Sequence, residues 1–142
     1  MRGELQTSED LPSGARAVTG RIAMRVLLVE DSMLIALDAE DALRGCGVGQ
    51  VVLAGNVAAA LAAMAEQLPD FAVLDYNLGE ESSEPVARAL SEAKVPYCFA
   101  TGYGDALERS RAVPPCGVLN KPYSKQDLAA VLAQAKAGPP RG

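Results

Sequence analysis

MRVLLVEDS, at residues 24–32, joins a short apolar run to a pair of carboxylates. The run at 24–30 is apolar apart from Arg25 and Glu30 and is too short for a typical helix, so it predicts a strand that a parallel sheet buries on both faces. Glu30 and Asp31 stand at the end of this strand. The chain that follows alternates more runs of this kind with segments of helical periodicity.

Four more short apolar runs predict strands, and they lie at 50–53, 71–75, 97–101 and 118–120. The first predicted helix covers 32–44, and its apolar face comprises Ile35, Ala39, Ala42 and Leu43. The second begins after Asn56, a plausible N-cap, and its apolar stripe comprises Val57, Leu61, Met64 and Leu68.

The third predicted helix opens near Pro85 and carries Val86 and Leu90, and a short, weak fourth one lies at about 105–112. The last starts with Ser124 and Asp127, which resemble a capping box, and its apolar face comprises Leu128, Val131, Leu132 and Ala135. Strands that alternate with helices predict an α/β domain whose helices cover both faces of a parallel sheet.

Composition excludes several classes of function. The 142 residues suit one domain, and none of them is histidine. Catalysis by Ser-His-Asp or Cys-His groups, zinc or haem bound by histidine, and a phosphohistidine on this chain are therefore excluded. The net charge of −5 argues against nucleic acid as a partner. No run is long enough to span a membrane, and the first ten residues contain no apolar h-region of the kind that a signal peptide carries.

The cysteine content predicts a reduced protein of the cytoplasm, and the chain is predicted to contain one folded unit. Cys46, Cys98 and Cys116 are odd in number and lack metal-binding spacing, so we expect free thiols. We expect a flexible N-terminal extension at 1–23, a folded domain at 24–138 and a short tail at 139–142. Met24 directly precedes the first strand and is an alternative start to Met1.

Polar residues follow four of the predicted strands. Glu30 and Asp31 end the first strand, Asp75 ends the third, Thr101 ends the fourth, and Lys121 follows the fifth. In open α/β sheets these carboxyl ends form the ligand-binding edge, so we expect the side chains to converge. Clustered carboxylates suit Mg²⁺, and an aspartate can act as a nucleophile that carries a phosphoryl group.

Four segments in this order carry a resemblance to a known family: VEDS at 29–32, LDYNLG at 74–79, FATG at 99–102 and NKPYS at 120–124. Over 24–137 the chain resembles the receiver domain of two-component response regulators. The resemblance implies a flavodoxin-like (CheY-like) fold, a doubly wound five-stranded parallel sheet of order 2-1-3-4-5 with helices on both faces.

The resemblance also implies a role for each residue at the predicted edge. Asp75 would accept the phosphoryl group, Thr101 would contact that group, and Lys121 would pair with Asp75 or with its phosphoryl oxygens. Mg²⁺ would be held by Glu30, Asp31, Asp75 and the backbone carbonyl of Asn77. In this family the peptide bond before Pro122 is typically cis.

The chain departs from common receivers at the position three residues before Lys121. Common receivers have an aromatic switch residue there, whereas this chain has Val118, and Tyr103 follows the FATG segment instead. This pattern resembles the atypical FATGUY subgroup, so Thr101 and Tyr103 are the switch candidates, with a mobile segment between Gly102 and Pro115 as a hypothesis. We also expect Asn77 and Tyr103 to influence the lifetime of the phosphorylated state.

The resemblance implies a single-domain response regulator and not a conventional enzyme. Its partners would be a sensor histidine kinase or histidine phosphotransfer protein and an unknown downstream protein, with no nucleic acid and no membrane, and the protein would be a monomer or weak dimer. It would signal by protein–protein interaction or serve as a phosphate sink. Met33 and Leu34 lie where a kinase helix docks in the family, although they are equally compatible with ordinary apolar residues.

Two alternatives remain open. A pseudo-receiver would bind partners without phosphorylation, but the five residues expected in the site are all present. A haloacid-dehalogenase-like phosphatase would need a second aspartate two residues after the nucleophile, where this chain has Asn77.

Overall fold

The computed structural model describes residues 24–102 and 117–137. Five strands form one parallel sheet: β1 (Arg25–Val29), β2 (Gln50–Ala54), β3 (Phe71–Asp75), β4 (Tyr97–Thr101) and β5 (Val118–Asn120). Their order is β2-β1-β3-β4-β5, and each neighbouring pair runs parallel. The predicted doubly wound, CheY-like sheet of order 2-1-3-4-5 is therefore confirmed.

Four helices lie in the described part of the chain: α1 (Met33–Gly45), α2 (Val57–Glu66), α3 (Glu84–Glu92) and α4 (Lys125–Ala137). The predicted extension at 1–23, the predicted helix at 105–112, Tyr103, Cys116 and the tail at 139–142 lie outside the described residues. No described helix is long and apolar enough to cross a membrane.

The strands bury side chains on both faces because successive residues of a strand point in opposite directions. Val26 and Leu28 of β1 pack in a core cluster with residues of α1 and α4. Leu27 and Val29 pack in a second cluster with residues of α2 and α3. The sheet therefore lies between two helical layers.

The predicted caps are confirmed at two helices. The Asn56 side chain accepts a hydrogen bond from the Ala59 amide at 2.7 Å, at the start of α2. At α4 the amide of Ser124 donates to the Asp127 carboxylate, and the amide of Asp127 donates to the Ser124 hydroxyl. These side chains satisfy amides that the first turn of a helix leaves without partners.

The predicted apolar faces of α1 and α2 are partly wrong. In α1 the buried residues are Ala36, Ala39 and Leu43, while Ile35 is exposed. In α2 the buried residues are Ala60 and Met64, whereas Leu61 and Leu68 are exposed. Each helix turns a small alanine toward the sheet, which permits close approach, and α2 ends at Glu66, before Leu68.

A short hairpin that the sequence analysis missed follows β3. Its arms, Asn77–Leu78 and Glu81–Ser82, pair antiparallel, and Gly79 in the turn has φ +76°. This left-handed conformation favours glycine because a Cβ atom is strained there. The glycine next to the apolar Leu78 was the available signal in the sequence.

Candidate functional site

The candidate site lies at the carboxyl ends of the central strands. Asp75 is the last residue of β3, and Glu30 follows β1, its neighbour in the sheet. Lys121 directly follows β5, and its Nζ lies 3.0 Å from Asp75 Oδ2 and 3.1 Å from Glu30 Oε1. The Lys121–Pro122 peptide bond is cis, as the resemblance implied.

Three carboxylates gather at this edge of the sheet. Glu30, Asp31 and Asp75 each offer one oxygen atom, and these atoms all lie within 4.8 Å of one another. Glu30 and Asp75 are buried, with Asp75 only 5% exposed, whereas Asp31 is exposed. An oxygen-only donor set of this kind, open to solvent on one side, fits a hard divalent cation such as Mg²⁺.

Thr101 and Asn77, two further predicted site residues, lie at the same edge of the sheet. Thr101 is buried at the end of β4, one residue beyond Ala100, which pairs in register with Asp75. Its hydroxyl donates to the carbonyl of Gly102 at 3.2 Å. Asn77 begins the hairpin two residues after Asp75. The predicted switch candidate Tyr103 lies outside the described residues.

Burial and neighbouring charges shift the pKa values of Asp75 and Lys121. Burial raises the pKa of Asp75 from 3.8 to about 7; the hydrogen bond from Lys121 acts in the opposite direction, and the negative charge of Glu30 raises the pKa further. Burial lowers the pKa of Lys121, but its hydrogen bonds to Asp75 and Glu30 outweigh that effect, and the net shift is upward. One lysine therefore leaves the carboxylate cluster with excess negative charge.

Ser32 supports the acidic pair, and sequence reasoning missed this role. Its amide donates to Glu30 Oε2 at 3.2 Å, while its hydroxyl accepts from the Ile35 amide at 3.4 Å as the N-cap of α1. Glu30 is thus held between Lys121 and the backbone of Ser32. A serine immediately before an apolar helical segment was the available signal.

An apolar surface adjoins the carboxylate cluster. Met33, Leu34 and Leu37 of α1 are exposed, and Leu34 is 82% exposed. Beside them a cavity of about 660 Å³ opens between α1 and the segment that leads from Lys121 into α4. Exposed apolar groups that lie together in this way are typical of a protein-binding surface.

Comparison with known proteins identifies the family. No protein-family model matches the chain. The phyllosphere-induced regulator PhyR of Methylorubrum extorquens is 28% identical over 123 residues, which make up 84% of this chain and 46% of that protein. The chain thus spans about half the length of the curated relatives it matches.

Two solved structures match nearly over their whole length. The solution structure of SdrG from Sphingomonas melonis Fr1 is 38% identical, with 80% of this chain and 96% of that chain covered and a TM-score of 0.65. The PhyR response regulator REC domain of Erythrobacter litoralis is 26% identical, with 84% and 95% covered and a TM-score of 0.72. The chain belongs to the response regulator receiver family. The family that the sequence motifs predicted is thereby confirmed.

The structure brings together Glu30, Asp31, Asp75 and Lys121, with Thr101 on the adjacent strand. The FATGUY subgroup stays a prediction, since its tyrosine lies outside the described residues.

Proposed function

We propose that this receiver accepts a phosphoryl group on Asp75 from a partner histidine kinase or histidine phosphotransfer protein, in a Mg²⁺-dependent reaction in the cytoplasm. The observation that carries the proposal is the position of Asp75, a buried carboxylate 3.0 Å from the ammonium of Lys121 and beside two further carboxylates. A phosphoacceptor needs a nucleophilic oxygen and cationic groups that stabilise the phosphoryl oxygens.

Glu30, Asp31, Asp75 and the backbone carbonyl of Asn77 would hold the Mg²⁺ ion. When bound, the ion would neutralise the excess negative charge of the cluster and that of the incoming phosphoryl oxygens. The donor set supports this assignment because it offers only oxygen atoms, from carboxylates within 4.8 Å of one another.

The transfer is a direct displacement. An Asp75 carboxylate oxygen forms the new bond to phosphorus, the phosphorus–nitrogen bond of the donor phosphohistidine breaks, and the donor imidazole nitrogen keeps the electron pair. The 142 residues contain no histidine, so the donor histidine lies outside them. Lys121 would then pair with phosphoryl oxygens, and the Thr101 hydroxyl would donate a hydrogen bond to one of them.

The exposed apolar residues of α1 are the surface that we assign to the donor. Met33 and Leu34 follow Asp31 by two and three residues, and Leu37 lies one turn beyond Met33 on α1, so a partner helix on them would be close to the cluster that contains Asp75. The phosphorylated receiver would then act by binding a downstream protein or as a phosphate sink. Thr101 and Tyr103 are the proposed switch residues, in keeping with the FATGUY resemblance, and Asn77 and Tyr103 would affect the phosphoryl lifetime.

The test is to measure the intact mass of the protein after incubation with a small acyl phosphate and Mg²⁺. We expect the wild type to gain one phosphoryl group that Asp75→Asn does not gain. Asp41→Asn is the matched control, because Asp41 is an exposed aspartate on α1 away from the cluster, and it should label like the wild type.

Other outcomes would support the alternatives. A wild type that gains no mass would indicate a pseudo-receiver. Continuous hydrolysis of an added phosphoester would indicate a phosphatase of the haloacid-dehalogenase type. Equal labelling of Asp75→Asn and wild type would place the phosphoryl group on another residue and refute the assignment of Asp75.

A further inference from the structure

The hairpin that follows β3 runs alongside the carboxylate cluster. It begins at Asn77, and a Cβ atom built on Gly79 in its turn would lie 3.8 Å from Asp31 Oδ2. The turn is thus in van der Waals range of one of the three clustered carboxylates. Because Asn77 is the first residue of the hairpin, a shift of the hairpin would move the Asn77 carbonyl relative to the carboxylate cluster.

The base of the hairpin is attached to the domain by contacts of its flanking residues. The Ser83 amide donates to the Tyr76 carbonyl at 3.0 Å, and the Tyr76 hydroxyl donates to Glu84 Oε2 at 2.8 Å. The Tyr76 ring also packs edge-on against Phe99, with ring centroids 5.3 Å apart. These contacts fix where the two arms leave the sheet and α3, but they lie at the root of the hairpin.

A separate contact attaches the second arm to α2. Glu81 Oε2 accepts a hydrogen bond at 3.1 Å from the amide of Val57, the first residue of α2. The first turn of α2 has no acidic residue of its own, and Asn56 caps a different amide, that of Ala59. Glu81 therefore supplies from 24 residues away the negative charge that a helix N-terminus favours.

We propose that Glu81 is a positioning residue, which holds the hairpin to α2 so that the Asn77 carbonyl is preorganised for the cation at the Glu30, Asp31 and Asp75 cluster. This inference rests on the proposed function, because it assigns Glu81 a part in Mg²⁺ binding. Glu81 is exposed and lies outside the cluster, so it acts through the hairpin and not by contact with the ion.

The test compares Glu81→Ala with Glu80→Ala. Glu80 is the adjacent exposed residue in the turn of the same hairpin, and within the described residues it makes no hydrogen bond to α2. Both variants remove one negative charge near the cluster, so a difference between them reports the contact with Val57. Mg²⁺ affinity is measured by isothermal titration calorimetry, and hydrogen exchange of the amides at 77–82 is measured without metal.

We expect Glu81→Ala to weaken Mg²⁺ binding about two- to fivefold relative to Glu80→Ala and to speed exchange at 77–82 by a similar factor, which is the size of a charge–helix interaction at the surface. Glu81→Gln keeps an oxygen acceptor and should restore part of both effects. Equal Mg²⁺ affinity in Glu81→Ala and Glu80→Ala would overturn the proposal.

The exchange measurement separates this inference from the proposed function. Unchanged exchange at 77–82 in Glu81→Ala would overturn the positioning role even if the wild type binds Mg²⁺ and becomes phosphorylated. A wild type that binds no Mg²⁺ would refute the proposed metal site and, with it, the part assigned to Glu81.

Discussion

Replacing Asp75 with asparagine should stabilise the metal-free protein, and the gain should depend on pH. Asp75 is a buried carboxylate that shares one lysine with Glu30. Asparagine has a similar shape without the charge, and Lys121 keeps Glu30 as a partner in the variant. The substitution thus removes the cost of holding an ionised carboxylate among other negative charges.

The magnitude follows from the pKa of Asp75, which rises from 3.8 to about 7 on folding. A folded-state pKa above the unfolded value means that Asp75 contributes stability below its unfolded pKa and loses it as pH rises through the folded pKa. At 1.36 kcal/mol per pKa unit, the ionised group costs about 4 kcal/mol at pH 8. At pH 5 the folded protein holds the proton, and about 3 kcal/mol of that cost is relieved.

The assay is urea denaturation followed by circular dichroism at pH 5 and pH 8, in the presence of a metal chelator. Asp75→Asn should be more stable than the wild type by about 4 kcal/mol at pH 8 and by less than half of that at pH 5. Asp41→Asn controls for the loss of one negative charge. A stability difference between Asp75→Asn and wild type that is the same at both pH values, or an Asp75→Asn variant less stable at pH 8, would refute the reasoning.

Three further predictions concern the metal, the docking surface and the core. Mg²⁺ at ten times its dissociation constant should stabilise the wild type by about 1.4 kcal/mol in the same denaturation assay. A chelator should reverse this gain, and an equal gain in Asp31→Asn would contradict the metal assignment. Leu34→Asp should slow phosphotransfer from the partner kinase about tenfold while labelling by a small acyl phosphate stays unchanged. Leu61→Asp, on the exposed side of α2, should leave both rates as in the wild type, and a loss of kinase transfer there would argue against docking on α1. Leu43→Ala, in the α1 core, should lower the free energy of unfolding by about 2–5 kcal/mol, and a loss below 1 kcal/mol would show that the site collapses around the cavity.

Local physical chemistry let the sequence predict much of this receiver. The apolar runs predicted the strands because parallel strands are buried on both faces, and β1 and β3 are found within a residue of their predicted bounds. Asn56 and the pair Ser124 and Asp127 act as caps because their side chains reach amides three residues away. The residues at the strand ends were identifiable because each one directly follows an apolar run.

Patterns that depend on what packs around an element were predicted less well. The faces of α1 and α2 are rotated from prediction, since Ala36 and Ala60 pack against the sheet where Ile35 and Leu61 were expected. When apolar residues are abundant, helical periodicity fits two neighbouring choices of the buried face. This is the case for α2, which consists almost entirely of alanine and other apolar residues. The hairpin was missed because its arms are only two residues each.

The sequence by itself determined that an acidic pair, an aspartate, a threonine and a lysine stand at the ends of four of the five strands, because strand ends are marked by local changes from apolar to polar residues. Only the tertiary structure put Lys121 within 3.1 Å of Glu30, 91 residues earlier, and Glu81 against the first amide of α2. Such contacts depend on the order of strands in the sheet and on the path of a short hairpin. No local pattern encodes the distance between residues that the sheet brings together.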